Sequence, residues 1–302
     1  YKELVPLIGS KEGISHLALA YLNEEDVAVI PEPGYPAYGG GTALSSGTAY
    51  PYPLRPRTNF LVELDEIPPD VLRRTRILYL NYPNNPTAAI APRDYLERVV
   101  ARCMELDILL VYDNAYSELA FDGYRPPSIF EVEGAREIAV EFHSMSKTYN
   151  MTGWRLGWAV TRSEVATTLQ KVKTYVDTGP FMALQAAAVA AIESYSEWVP
   201  ANVAVFKERR DAAVDAFRAA GFVCEVPRAT MYLWLQLPDG VPDAAFAERL
   251  LIEEGVVLVP GSGFGAGGEG FARVSFVAPP ERIAEAAARA GRVLSAFGAG
   301  VV

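Results

Sequence analysis

Ser144, Ser146, Lys147 and Arg155 fall within the twelve residues Ser144-Met145-Ser146-Lys147-Thr148-Tyr149-Asn150-Met151-Thr152-Gly153-Trp154-Arg155. A lysine used for imine chemistry must stand at the rim of a dry pocket with its pKa lowered. A phosphate anchor needs hydroxyls and a guanidinium close by. This one segment holds all of these groups. Taken alone it is ambiguous, because lysine and arginine in a polar loop are mostly solvated. Ser144 and Lys147 also fit the Ser-x-x-Lys pattern in which a serine is acylated beside a lysine base. The Ser-Asp-Asn and Lys-Thr-Gly companions of that second chemistry are absent from the chain.

Further residues have a chemical reading and a bland one. Gly9-Ser10-Lys11-Glu12-Gly13 precedes an apparent helix through Ile14, Leu17, Ala18 and Tyr21, so its free backbone N–H groups suit a phosphate or simply form a capping loop. Asp113 closes the apolar run 108–112, and such strand ends face the ligand crevice of open α/β sheets. A carboxylate there is costly without a partner; a helix N-cap is the rival role. Tyr35 in Pro33-Gly34-Tyr35-Pro36 and Asn85 in Asn84-Asn85-Pro86-Thr87 each follow a strand and also read as ordinary turn residues. Arg273, in Phe271-Ala272-Arg273-Val274-Ser275-Phe276, has the planar fork that a carboxylate needs, or is an edge-strand arginine facing water. Gly263 to Gly268 fits a dinucleotide glycine pattern, but a strand follows it, so it reads as a loop. His16 and His143 are the chain's two histidines and lie far apart in sequence, so no metal site is expected.

Together these segments resemble the class I and II aminotransferases of the fold-type-I pyridoxal-phosphate family. That signature is Ser-x-Ser-Lys with an arginine eight residues after the lysine, and four further motifs stand here in family order, ending with Asp113-Asn114-Ala115-Tyr116. The resemblance implies pyridoxal 5'-phosphate as cofactor, with Lys147 forming its imine and shuttling the substrate proton. It places Ser10, Lys11, Ser144, Ser146 and Arg155 in the cofactor site, Tyr35 stacked on the ring, Asn85 and Tyr116 at the phenolic oxygen, and Asp113 at the ring nitrogen. Arg273 is implied for the substrate α-carboxylate. The substrates implied are an amino acid and a 2-oxo acid, and the partner is a second copy of the chain, with residues 175–181 as a region facing its cofactor. The wording is most similar to the LL-diaminopimelate aminotransferase branch, using 2-oxoglutarate, with aspartate and alanine aminotransferases as neighbours. A pyridoxal-phosphate-binding regulator domain stays open as a non-enzymatic alternative, although no basic DNA-binding segment is visible. The chain opens at Tyr1 rather than Met. Relatives carry an N-terminal arm, so the expectation is a natural start upstream, a substrate cover missing from the chain, low activity and an uncovered sheet edge.

These residues need a scaffold. Short apolar runs at 27–30, 49–54, 77–81, 108–113, 138–143 and 154–160 alternate with helical stretches, giving an α/β fold: an α/β/α sandwich with a mostly parallel sheet. Residues 4–9 read as a strand entering a loop. Residues 92–106 form a helix, with Tyr95, Leu96, Val99, Val100 and Cys103 on one face. An Ala-rich helical region over 181–220 breaks near Pro200. Beyond it, strands at 222–226, 231–237, 256–259 and 271–277 with helices at 243–254 and 280–297 make a smaller C-terminal α+β domain. The expected division is 1–180, 181–220 and 221–302. The 27 basic residues against 37 acidic ones give a charge of −10, which disfavours nucleic acid and anionic lipid. Two cysteines without ligand spacing read as core residues of a reducing, cytoplasmic compartment, and no apolar run is long enough to span a membrane.

Overall fold

Strands made of continuous apolar runs must be covered on both faces. The computed structural model describes residues 2–298 and meets that demand with a seven-stranded sheet between two helical layers. In chain order the elements begin β1 (Leu4–Leu7), α1 (Ser10–Tyr21), β2 (Val27–Glu32), α2 (Ala37–Leu44), β3 (Thr48–Pro53), α3 (Pro69–Arg74), β4 (Thr75–Leu80) and α4 (Arg93–Leu106). There follow β5 (Leu109–Asp113), α5 (Ala135–Ile138), β6 (Ala139–Ser144), α6 (Met145–Thr148), β7 (Gly157–Thr161), α7 (Ser163–Val176), α8 (Met182–Glu193) and α9 (Tyr195–Ala219). The chain closes with β8 (Tyr232–Gln236), α10 (Asp243–Glu254), β9 (Val259–Pro260), β10 (Phe271–Ser275) and α11 (Pro280–Gly298).

The large sheet runs β1-β7-β6-β5-β4-β2-β3, with β2 to β6 mutually parallel, β7 antiparallel to β6, and β1 antiparallel to β7. All of β5 is buried. One face of the sheet packs on α4 through the five residues whose spacing marked them, each such apolar burial contributing roughly 1.5–3 kcal/mol. The other face packs on α1 and α7. β1 pairs with β7 from Leu4 to Leu7, so that side of β7 is covered by a short strand carrying Pro6. A second, three-stranded antiparallel sheet, β8-β10-β9, makes the smaller unit. Leu119 and Phe121, from the loop after β5, are built into its core, and Phe121 N–H bonds the Arg228 carbonyl across the two units.

Several expectations are corrected. The strand foreseen at 154–160 starts at Gly157, because Thr152–Trp154 is a 3-10 turn and Arg155 has φ 52°. Residues 222–226 contribute just one bridge, Val223 to Gln236. There the Cys224 carbonyl is taken by Arg218 Nε and Nη2, and Pro227 follows. The strand at 256–259 shrinks to Val259–Pro260. The helical region breaks at Ser194 and runs unbroken through Pro200. Pro200 forfeits a single bond, to the carbonyl of Ser196, and that residue is exposed to water. Residues 299–302, the tail of the expected small domain, lie outside the described residues.

Candidate active site

The C-terminal ends of β4, β5 and β6 point the same way, as parallel neighbours must, and a crevice forms beyond them. All eleven residues singled out from the sequence line one cavity of about 340 Å³ there, together with Asn81, Thr152, Tyr232 and Phe264.

At its floor Asp113 is buried. Oδ2 accepts a hydrogen bond from Tyr38 Oη at 2.8 Å, and Oδ1 has no partner among the described residues. Burial pushes this carboxyl up to about 6, against the lowering effects of the Tyr38 hydroxyl and the charge of Lys147. The N-cap role weighed for Asp113 is excluded, since turns rather than a helix follow it. Asn81 Nδ2 donates to the Asp113 carbonyl at 2.7 Å while Asn81 Oδ1 receives Asn85 N–H at 2.8 Å, so one side chain joins the two strand-end loops.

One wall is the start of α1. Its first turn has no side-chain cap, and Gly9 stands at φ 74°. A side chain on Gly9 would strike the Arg155 guanidinium, and one on Gly157 would meet the His143 carbonyl and Ser10 N, so both glycines permit close approach. Ser144 caps α6, its Oγ accepting from Ser146 N at 3.1 Å. Arg155 Nη1 is held by the Thr152 carbonyl at 2.9 Å. Two hydroxyls, one guanidinium and an uncapped helix start thus surround one corner, a receptor for a small anion. Among the described residues Ser144 Oγ makes no hydrogen bond to Lys147, so the acylation chemistry gains no support.

Opposite lies β10. Arg273 Cζ sits 4.4 Å from the Tyr232 ring centre and 4.7 Å from that of Phe264, and its Nη1 donates to Asn85 Oδ1 at 2.7 Å. Its Nε is buried without a partner among the described residues. β10 is the central strand of its sheet, which corrects the edge-strand alternative. The glycine-rich loop before it forms two 3-10 turns, and the Phe264 carbonyl accepts from Gly34 N at 3.1 Å, tying the loop to the turn that carries Tyr35. Lys147 Nζ lies 5.9 Å from the Tyr116 ring centre. Tyr116 and Tyr232 share a hydrogen bond between their hydroxyls at 2.9 Å. Burial holds the Tyr116 hydroxyl well above its ordinary range, with Tyr232 adding to the effect.

Sequence reasoning missed Tyr38, Tyr232 and Asn81. Tyr38 stands three residues after Tyr35, a helical spacing that was available as a signal. Tyr232 lies on the same face as Arg273 through the pairing of Tyr232 with Ser275 and of Trp234 with Arg273. Away from the cavity, Glu12, His16 and Asp177 come within metal-ligating distance of one another, but Lys173 Nζ bonds Glu12 Oε1 at 2.6 Å and Asp177 Oδ1 at 2.9 Å. That cluster is a partly buried ion network tying α7 to α1.

Comparison with known proteins agrees with this geometry. The sequence is similar to an LL-diaminopimelate aminotransferase of Desulforudis audaxviator, 46% identical over 288 residues that span 95% of this chain and 74% of the relative. Among solved structures, a probable N-succinyldiaminopimelate aminotransferase of Thermus thermophilus is 39% identical with a TM-score of 0.91, covering 96% of this chain and 78% of that one. Substrate-bound BacF of Bacillus subtilis is 33% identical at a TM-score of 0.93, covering 97% and 75%. The sequence model of aminotransferase class I and II matches residues 1–289, which take in every residue of the cavity. With motif order, fold, pocket and relatives in agreement, the chain belongs to the class I and II aminotransferases.

Proposed function

We propose that Lys147 is the catalytic lysine of this aminotransferase, and that its substrates are LL-diaminopimelate as amino donor and 2-oxoglutarate as acceptor. The observation that carries the site assignment is Asp113 Oδ1, a buried carboxylate oxygen with no donor among the described residues. Class I and II aminotransferases work with pyridoxal 5'-phosphate, whose protonated ring supplies an electron sink for charge developing at the substrate α-carbon. Asp113 Oδ1 fits the N–H of such a ring, and the corner made by Ser10, Lys11, Ser144, Ser146 and Arg155 fits its phosphate. Asn85, with Oδ1 already accepting from Arg273, keeps its amide N–H groups free to donate to the phenolic oxygen. Tyr116 would donate to that oxygen from the other side, and Tyr35 would cover the ring.

Arg273 would receive the substrate α-carboxylate as a two-pronged donor, its guanidinium already oriented between two aromatic faces. With the carboxylate fixed there, Lys147 Nζ would take the proton from the substrate α-carbon as a base, hold it, and later give it back as an acid. The diaminopimelate reading is supported by the names of several relatives that are 41–46% identical to this chain; aspartate and alanine transamination are its competitors.

The exposed apolar side chains Tyr175, Val176, Phe181, Met182, Val189 and Ile192, around the α7–α8 junction, support a homodimer whose partner covers them. A cytoplasmic setting is supported by two buried free cysteines. No described helix is long and apolar enough to cross a membrane. The division at about residues 180 and 220 is supported by the two separate sheets, with Leu119 and Phe121 as the link between them.

Lys147→Ala in the cofactor-loaded protein tests the site assignment: it should abolish both the pH-sensitive visible band and the amino-donor half-reaction. Retention of either refutes it. Half-reaction rates with LL-diaminopimelate, aspartate and alanine decide the donor, and a preference of aspartate or alanine over LL-diaminopimelate overturns the substrate proposal.

A further inference from the structure

We propose that Tyr232 is a positioning residue for catalysis, with its hydroxyl setting the direction of the Tyr116 hydrogen bond and its ring orienting Arg273. The proposal rests on the roles given above to Tyr116 and Arg273. Tyr232 stands on β8 in the small unit and reaches into the cavity formed at the end of the large sheet. Its ring meets that of Tyr116 edge-on, with centres 5.5 Å apart, and the two hydroxyls are 2.9 Å apart.

A phenol has one proton to give. Between two hydroxyls that share a hydrogen bond, one donates and the other keeps its own proton for a third group. Among the described residues Tyr116 Oη has no other partner. If Tyr116 spends its proton on the phenolic oxygen of the cofactor, its lone pair must accept from Tyr232. The order is then Tyr232 to Tyr116 to ligand, and each bond polarises the next. Without the Tyr232 hydroxyl, Tyr116 is a weaker donor and is free to rotate.

The ring of Tyr232 has a separate task. The Arg273 guanidinium lies over it at 4.4 Å, so the fork proposed to receive the carboxylate is held beside an aromatic ring. Hydroxyl and ring act on different parts of the reaction, and different substitutions separate them. Tyr232→Phe removes the hydroxyl alone. Tyr232→Leu removes both.

The test uses the cofactor-loaded protein, with thermal midpoints and retained visible absorbance as controls for folding. A weaker donor at the phenolic oxygen leaves more negative charge there, so the neighbouring proton is held to higher pH. Tyr232→Phe should raise the pH midpoint of the visible band by about 0.5 and lower kcat about five-fold, the effect of roughly one net hydrogen bond, with KM for the amino donor nearly unchanged. Tyr232→Leu should in addition raise that KM about ten-fold, as expected for a lost cation–aromatic contact. Tyr116→Phe should move the midpoint in the same direction. The double variant Tyr116→Phe/Tyr232→Phe should move it no further than Tyr116→Phe alone, because the hydroxyl of Tyr232 acts through Tyr116.

A Tyr232→Phe midpoint at the wild-type value, or additive shifts in the double variant, overturns the proposal while leaving Tyr116 in place. Equal KM values for Tyr232→Phe and Tyr232→Leu overturn the part assigned to the ring. A Tyr116→Phe midpoint at the wild-type value would instead remove the role of Tyr116, and the Tyr232 proposal with it.

Discussion

In the cofactor-free protein, Asp113→Asn should stabilise the fold at neutral pH, although the same change should cripple the loaded enzyme. Burial raises the Asp113 carboxyl from 3.8 to about 6. The folded chain therefore binds a proton that the unfolded chain has released between those values, and stability falls as pH rises through this window. Above pH 6 the full penalty of the buried charge is present, about 3 kcal/mol at roughly 1.4 kcal/mol for each pH unit. Asparagine has the same shape and does not ionise. Its Oδ1 can accept from Tyr38, but its amide N–H groups then stand where Asp113 Oδ1 has no partner, which costs about 1 kcal/mol. The net expectation is a variant about 2 kcal/mol more stable at pH 8, with the gain shrinking to about 0.5 kcal/mol at pH 5. Urea unfolding of both cofactor-free proteins, followed by tryptophan fluorescence from pH 5 to 8, measures this. Adding pyridoxal phosphate should reverse the ranking, since the ring N–H gives the aspartate the partner it lacks. A variant no more stable than the parent at pH 8, or an advantage that does not change with pH, would refute the account of Asp113 as a buried, unsatisfied acid awaiting a proton donor.

Two further outcomes follow from buried charge and exposed apolar surface. Lys173→Met leaves Glu12 and Asp177 facing each other without their shared cation, and should destabilise the protein by about 3–5 kcal/mol. Because Glu12 Oε2 also holds Ile8 N–H at 2.7 Å, just before the Ser10–Lys11 turn, cofactor affinity should fall as well; an unchanged unfolding midpoint would show that the network contributes nothing. Phe181→Glu places a charge at a side chain that is 72% exposed beside Met182 at 76%, and should weaken self-association at least ten-fold in sedimentation without changing the unfolding of the separated chain. Unchanged association would move the interface elsewhere.

What the sequence determined by itself was which nearby residues were candidates for chemistry, and the fold gathers them around one cavity. Lys147 and Arg155 were found by their separation in a single loop, and Asp113 by its place at the end of an apolar run. Helix 243–254 was found by a local pattern that tertiary contacts did not disturb. Local patterns suffice where neighbours in sequence are also the interacting partners. They fail where the partner is distant. A tyrosine in an apolar strand reads as core, and nothing near Met231 or Leu233 says that Tyr232 meets Tyr116, 116 residues away. Tyr38, stacked on Tyr79 at 4.8 Å, looks equally like packing until its hydroxyl is seen on Asp113. The strand foreseen at 222–226 fails for a nearer reason: the Cys224 carbonyl is taken by Arg218, six residues earlier, and Pro227 follows. Register and packing decided those positions, because one buried hydroxyl or carbonyl takes whichever partner the assembled fold brings within about 3 Å.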